Sequence, residues 1–225
     1  MPDQELFRAV FLRHGHTDYT DKPPDINMIG HIAIASVSTP IRVFAAGKTI
    51  HLRTSPKVRA KGSGDHLSRF LTVASQKEES DLASVGIVKP EVARRLFTSY
   101  ASPDDCHAVD QAYWAFDEFD DLAVFEPREK IRIRIFRYLS YLINHHLNAA
   151  ADQPCYVCIS HVEVLCHLIS RPFGYDFSTD TPVRCAEPIF VVAVLKTSSQ
   201  VCLSYVFRQR QCAVDYNLAD PTNPY

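Results

Sequence analysis

The chain has 225 residues, 46% of them hydrophobic and 22% charged, with a net charge of −2. That size and apolar content suit one α/β domain whose core holds without disulfides, and the near-neutral balance excludes the basic footprint of a nucleic-acid binder or of a protein drawn to an acidic membrane. No run of about 18 consecutive apolar residues reads as a membrane span, and acids stand near the N-terminus where a signal peptide is basic, so the expected location is cytoplasmic.

The first predicted element is Phe7 to Leu12, a short apolar run that reads as a buried strand, and Arg13, His14 and Gly15 follow it at once. A second strand is predicted over Thr49 to Thr54, followed by Ser55, Pro56 and a helix over Lys57 to Leu71 that contains Arg59. Residues 89–127 break this rhythm. They carry Tyr113, Trp114, Phe116, Phe119 and Phe125 and the acidic run Asp117, Glu118, Asp120 and Asp121. We read them as an insertion over the rim of the sheet, a lid or a homodimer interface, with the acids as a solvated loop in preference to a metal site.

Arg128 to Leu147 reads as a helix, because Ile131, Ile135, Leu139, Leu142 and Ile143 keep helical spacing over about 20 residues, too long for a strand. Cys155 to Ile159 is a third buried strand, ending in Ser160 and His161, with a helix over Glu163 to Ser170. Cys155 and Cys158 spell CxxC, yet residues three apart on a strand point to opposite faces, so the pair is read as structural. The odd total of seven cysteines, mostly inside apolar runs, fits buried free thiols. Pro188 to Leu195 and Val201 to Phe207 close the chain as a hairpin pair.

Strands alternating with helices imply a single α/β domain, with a mostly parallel sheet, helices on both faces and an antiparallel terminal pair. Ligands of such sheets bind beyond the carboxyl ends of the strands. Three strand-to-helix junctions therefore carry Arg13 with His14, Arg59, and His161 to one rim. Arginine forks suit phosphate oxygens, the side-chain-free Gly15 lets backbone N–H groups approach a phosphate, and a neutral imidazole can attack phosphorus and carry the phosphoryl group covalently. Two arginines and two histidines form a sufficient electrostatic cage, with no metal or cofactor implied.

The hexapeptide LRHGHT at 12–17 resembles the signature of the histidine phosphatase superfamily, which includes the cofactor-dependent phosphoglycerate mutases. PPDINMIGH at 23–31, TSPKVRA at 54–60 and CISHVEVLCHLI at 158–169 resemble further segments of that family, in its order. The resemblance implies a three-layer α/β/α sandwich with a phosphate pocket of Arg13, His14, Arg59 and His161, His14 being phosphorylated transiently. The general acid falls on Glu79 by one alignment and on Ser84 by another, and Asp81 is a further candidate. The sequence departs from the family's pattern at His16, at Val162 after the second histidine, and in the glycine-rich stretch after Arg59. The expected activity is hydrolysis of a phosphomonoester through phosphohistidine, the expected partner a small phosphorylated substrate or inorganic phosphate. The alternatives are mutase-type phosphoryl transfer and a phosphate-binding regulatory module without competent chemistry.

Overall fold

The computed structural model describes residues 3–18, 25–86, 88, 91, 125–147, 153–176, 180–197 and 200–220. In chain order the strands are β1 (Gln4–Arg13), β2 (Thr17–Asp18), β3 (Asp25–Ile26), β4 (Ile50–Thr54), β5 (Val73–Glu78), β6 (Cys155–Ser160), β7 (Pro188–Leu195), β8 (Val201–Phe207) and β9 (Arg210–Tyr216). The helices are α1 (Met28–Ser36), α2 (Ser38–Ala45), α3 (Val58–Leu67), α4 (Arg128–Leu147) and α5 (Val162–Phe173).

Seven strands form one mixed sheet in the order β5-β4-β6-β1-β7-β8-β9, while β2 and β3 make a separate two-stranded ladder. The pairs β5–β4, β4–β6 and β6–β1 are parallel, and β7, β8 and β9 add on antiparallel. Strand alternation divides the core. Phe7, Ala9 and Phe11 of β1 pack under α4 and α5, while Val10 and Leu12 pack under α1, α2 and α3. The expected three layers are present, and at about 1.5–3 kcal/mol for each large apolar side chain buried, these two faces supply the main stabilisation. Cys155 and Cys158 fall into opposite core layers, so they do not form a paired site, and burial pushes both thiols up to about 12. The six described cysteines are free.

In the parallel register Arg13 lies opposite Ser160, Thr54 opposite Ile159, and Glu78 opposite Thr54. Four carboxyl ends thus share one rim.

One predicted element ends earlier than expected. The helix after Ser55 stops at Leu67, four residues before the expected Leu71. Its Gly64 is required by packing: a Cβ there would stand 2.7 Å from Thr54 Cγ2. Residues Met28–Ala45 average a hydropathy of 1.4, enough in length and composition for a membrane span. They fold instead as two short helices broken at Val37, where Pro40 has no N–H to continue α1's ladder. The insertion expected at 89–127, with its acidic run, lies outside the described residues apart from Glu91 and 125–127; Phe125 is buried beside α4.

Candidate active site

Each parallel ladder runs one residue past its strand. The N–H of His14 donates to Ser160 O (3.1 Å), that of Ser55 to Ile159 O (2.9 Å), and that of Glu79 to Thr54 O (2.8 Å). These bonds hold the first loop residues as firmly as the strands themselves. Arg13, His14 and His161 are 8%, 3% and 1% exposed, and Arg13 Nη1 donates to Val183 O at 3.2 Å.

Arg59, in the first turn of α3, joins the two histidines. Its Nε–H donates to His14 Nε2 at 3.0 Å, and its Nη2 lies 3.3 Å from His161 Nδ1. The rings meet edge to face with centroids 5.0 Å apart. Since Nδ1 of His14 is 2.7 Å from the carbonyl of Gly15, it must carry the proton, which leaves the lone pair on Nε2. By the same reasoning His161 accepts at Nδ1 and donates from Nε2 to Ser55 Oγ at 2.8 Å. Burial first, then the charges of His161, Arg59 and Arg13, hold His14 well below the ordinary histidine value; burial, Arg59 and Arg13 do the same for His161. The pocket presents two neutral imidazoles among cations, an arrangement whose charge suits an anion.

Gly15 has a different task from the one expected. Its N–H donates to Ser63 Oγ (2.9 Å), and Ser63 in turn donates to Arg59 O (2.7 Å), tying the β1 loop to α3. A Cβ on Gly15 would stand 2.9 Å from both Cα and O of Gly30, so the missing side chain admits α1, not a phosphate. Gly15→Ala is expected to lower stability by about 1–3 kcal/mol through overpacking against rigid backbone, read as a lower urea midpoint with an unchanged slope.

The candidate acids stand at the same rim but are paired. Glu79 Oε1 is 3.2 Å from Lys77 Nζ and 3.6 Å from Arg53 Nε, and Asp81 is bridged to Arg137 of α4. Ser84 bonds to Glu163 in the first turn of α5. Sequence reasoning missed Ser55, Ser63 and Thr17, whose Oγ1 lies 3.3 Å from His14 Nδ1. Only the position of Ser63 one helical turn after Arg59 hinted at its role.

No family model matches the sequence, and no curated protein does. Solved structures do match. A mycobacterial glucosyl-3-phosphoglycerate phosphatase has a TM-score of 0.62 over 89% of this chain and 97% of its own, at 12% identity. The phosphatase in complex with inorganic phosphate gives 0.59 over 96% and 99%, at 14%. A phosphoglycerate mutase from Bacillus anthracis gives 0.55 over 83% and 87%, at 15%. The fold is phosphoglycerate mutase-like. In this fold, the junctions after β1, β4 and β6 carry the arginines and histidines described above.

The buried histidines make stability depend on pH. Their folded-state values lie below the unfolded value near 6.5, so above that pH both states are neutral and nothing is lost. As pH falls below 6.5 the unfolded chain takes up protons that the folded chain refuses, and stability declines by up to about 1.4 kcal/mol per pH unit for each histidine. Urea unfolding at pH 7.5 and 5.5 is expected to show this loss. Saturating inorganic phosphate should shrink it, because the dianion favours protonated imidazole.

Proposed function

We propose that the protein hydrolyses a phosphomonoester by way of a phosphohistidine on His14 Nε2. The observation that carries this reading is Arg59 bound to His14 Nε2 at 3.0 Å, with His161 on the same guanidinium, in a buried and cationic pocket. An entering phosphate dianion takes over Arg59 and Arg13 through its equatorial oxygens and releases the Nε2 lone pair. The same charge raises the affinity of His161 for a proton, adding a further donor.

Nε2 then attacks phosphorus as the bond to the leaving oxygen breaks. The carbonyl of Gly15, 2.7 Å from Nδ1, holds the ring in line and accepts the Nδ1–H whose positive charge grows as the P–N bond forms. Water attacks the phosphohistidine in the second step and regenerates the imidazole. Such transfers need mainly positioning and charge neutralisation, to which this cluster contributes, together with an acid for the leaving oxygen.

Phosphate release from a panel of sugar, nucleotide and aryl phosphates, with and without chelator, tests the reading. Release that survives the chelator and is lost in His14→Ala supports it. Transfer of the phosphoryl group to a second substrate alcohol in preference to water favours a mutase, and phosphate binding without turnover favours a regulatory module.

A further inference from the structure

We propose that Arg208, in the terminal hairpin, is a positioning residue for the phosphate pocket and acts on Arg13 through residues 181–187, an inference that rests on the phosphatase reading above. Arg208 and Gln209 form the two-residue turn between β8 and β9, with φ of 48° and 63°. Such turns favour Asn-Gly, because both central residues take positive φ. An arginine is a poor local choice there, and the bonds of its side chain give the reason.

A guanidinium carries five N–H donors, and Arg208 uses every one of them. Nε donates to Glu187 Oε1 at 2.7 Å, and Nη2 donates to Glu187 Oε2 at 2.8 Å and to Pro182 O at 2.7 Å. Nη1 donates to Thr181 O at 2.8 Å and to the hydroxyl of Tyr175. The guanidinium carbon also lies 4.7 Å from the centroid of the Phe207 ring. Glu187 is tied in turn to its own segment, since its Oε2 accepts from Arg184 N–H at 2.8 Å. One side chain therefore fixes both ends of residues 181–187.

The same segment holds Arg13. The carbonyl of the buried Val183 accepts from Arg13 Nη1 at 3.2 Å, the N–H of Ala186 donates to Arg13 O at 3.0 Å, and Cys185 pairs with Arg13 in a parallel bridge. Ala186 has a φ of 58°, which an alanine keeps only where its surroundings fix it. The carbonyls of Pro182 and Val183 are neighbours in the chain, and the first accepts from Arg208 while the second accepts from Arg13. A shift of this segment is thus a shift of Arg13's guanidinium, and a misplacement of about 1 Å in a group that clamps the reacting phosphate is worth up to about 10²-fold in rate.

The test is a double-mutant cycle on the full chain, read both as affinity for inorganic phosphate and as kcat/KM for a phosphomonoester. Arg208→Ala is expected to weaken phosphate binding and to lower kcat/KM by about 10–10²-fold. In the Arg13→Ala background the same substitution should change little, because no guanidinium remains there to be positioned. Arg208→Lys should resemble the alanine variant, since an ammonium cannot reach these acceptors as a planar fork does. Should Arg208→Ala not fold, Glu187→Gln carries the same cycle, its amide oxygen still accepting one bond from Arg208. Arg210→Ala is the control: this arginine of the same hairpin donates to Phe173 O at 2.8 Å and lies over the Phe173 ring, so it anchors α5. It should leave phosphate affinity unchanged.

No loss in Arg208→Ala, equal losses with and without Arg13, or a loss in Arg210→Ala as large as that in Arg208→Ala overturns the assignment while leaving the phosphohistidine route intact. A parent protein that neither binds inorganic phosphate through Arg13 nor releases it from any ester overturns the phosphatase reading and this inference together.

Discussion

The His14→Ala variant is expected to lose phosphomonoester hydrolysis by at least about 10⁴-fold, because removing a nucleophile removes the covalent route and not merely a contact. The loss should lie in kcat. Arg13, Arg59 and His161 remain to bind phosphate, so the rise in thermal midpoint given by inorganic phosphate should persist in reduced form. That combination separates loss of chemistry from loss of the pocket. The alanine also removes the Nδ1–H bond to Gly15 O and the Nε2 contact with Arg59, and the vacated space is bordered by polar groups of Arg59 and His161 to which a water can bond. A collapse of the fold is therefore not expected, and urea unfolding checks it.

The second large effect is expected at Arg59. Its guanidinium meets both histidines, at 3.0 and 3.3 Å, from a helix whose first turn is fixed above the rim. In Arg59→Ala the transferring phosphoryl group loses a planar donor that was already in position, a change worth about 10²–10³ in kcat/KM. Arg59→Lys should restore little, since an ammonium cannot span two imidazoles and a phosphate as a fork does. Phosphate binding should weaken in both variants. With one cation removed from beside His14, its affinity for a proton should also rise, moving the acidic limb of the rate profile to higher pH.

Features set by short-range pattern were legible in the sequence. Buried strands flanked by polar junctions showed where Arg13, His14, Arg59 and His161 would gather. The helix over Arg128 to Leu147 emerged from apolar spacing alone with both ends correct. Edge strands were not legible. β5 (VASQKE) is largely solvent-facing, and β9 (RQCAVDY) buries only its last residue fully, so neither carries the apolar run that marks a central strand.

Pairings across the chain were equally hidden. Ser55 to His161 spans 106 residues, Ser63 to Gly15 spans 48, and Ser84 to Glu163 spans 79. No local pattern announces such bonds. The glycine of the signature shows the difference between motif and mechanism. Gly15 was read as a phosphate-binding glycine, yet its packing admits Gly30 and its N–H anchors to Ser63.

If the phosphoryl group passes through His14, trapping it there is the most direct measurement. Mixing the protein with a turned-over phosphomonoester, quenching in alkali and mapping the peptides by mass should find an alkali-stable, acid-labile phosphoryl group on the peptide containing His14. Steady turnover with no phosphoryl group on His14, or with the group on another side chain, would contradict a phosphohistidine route.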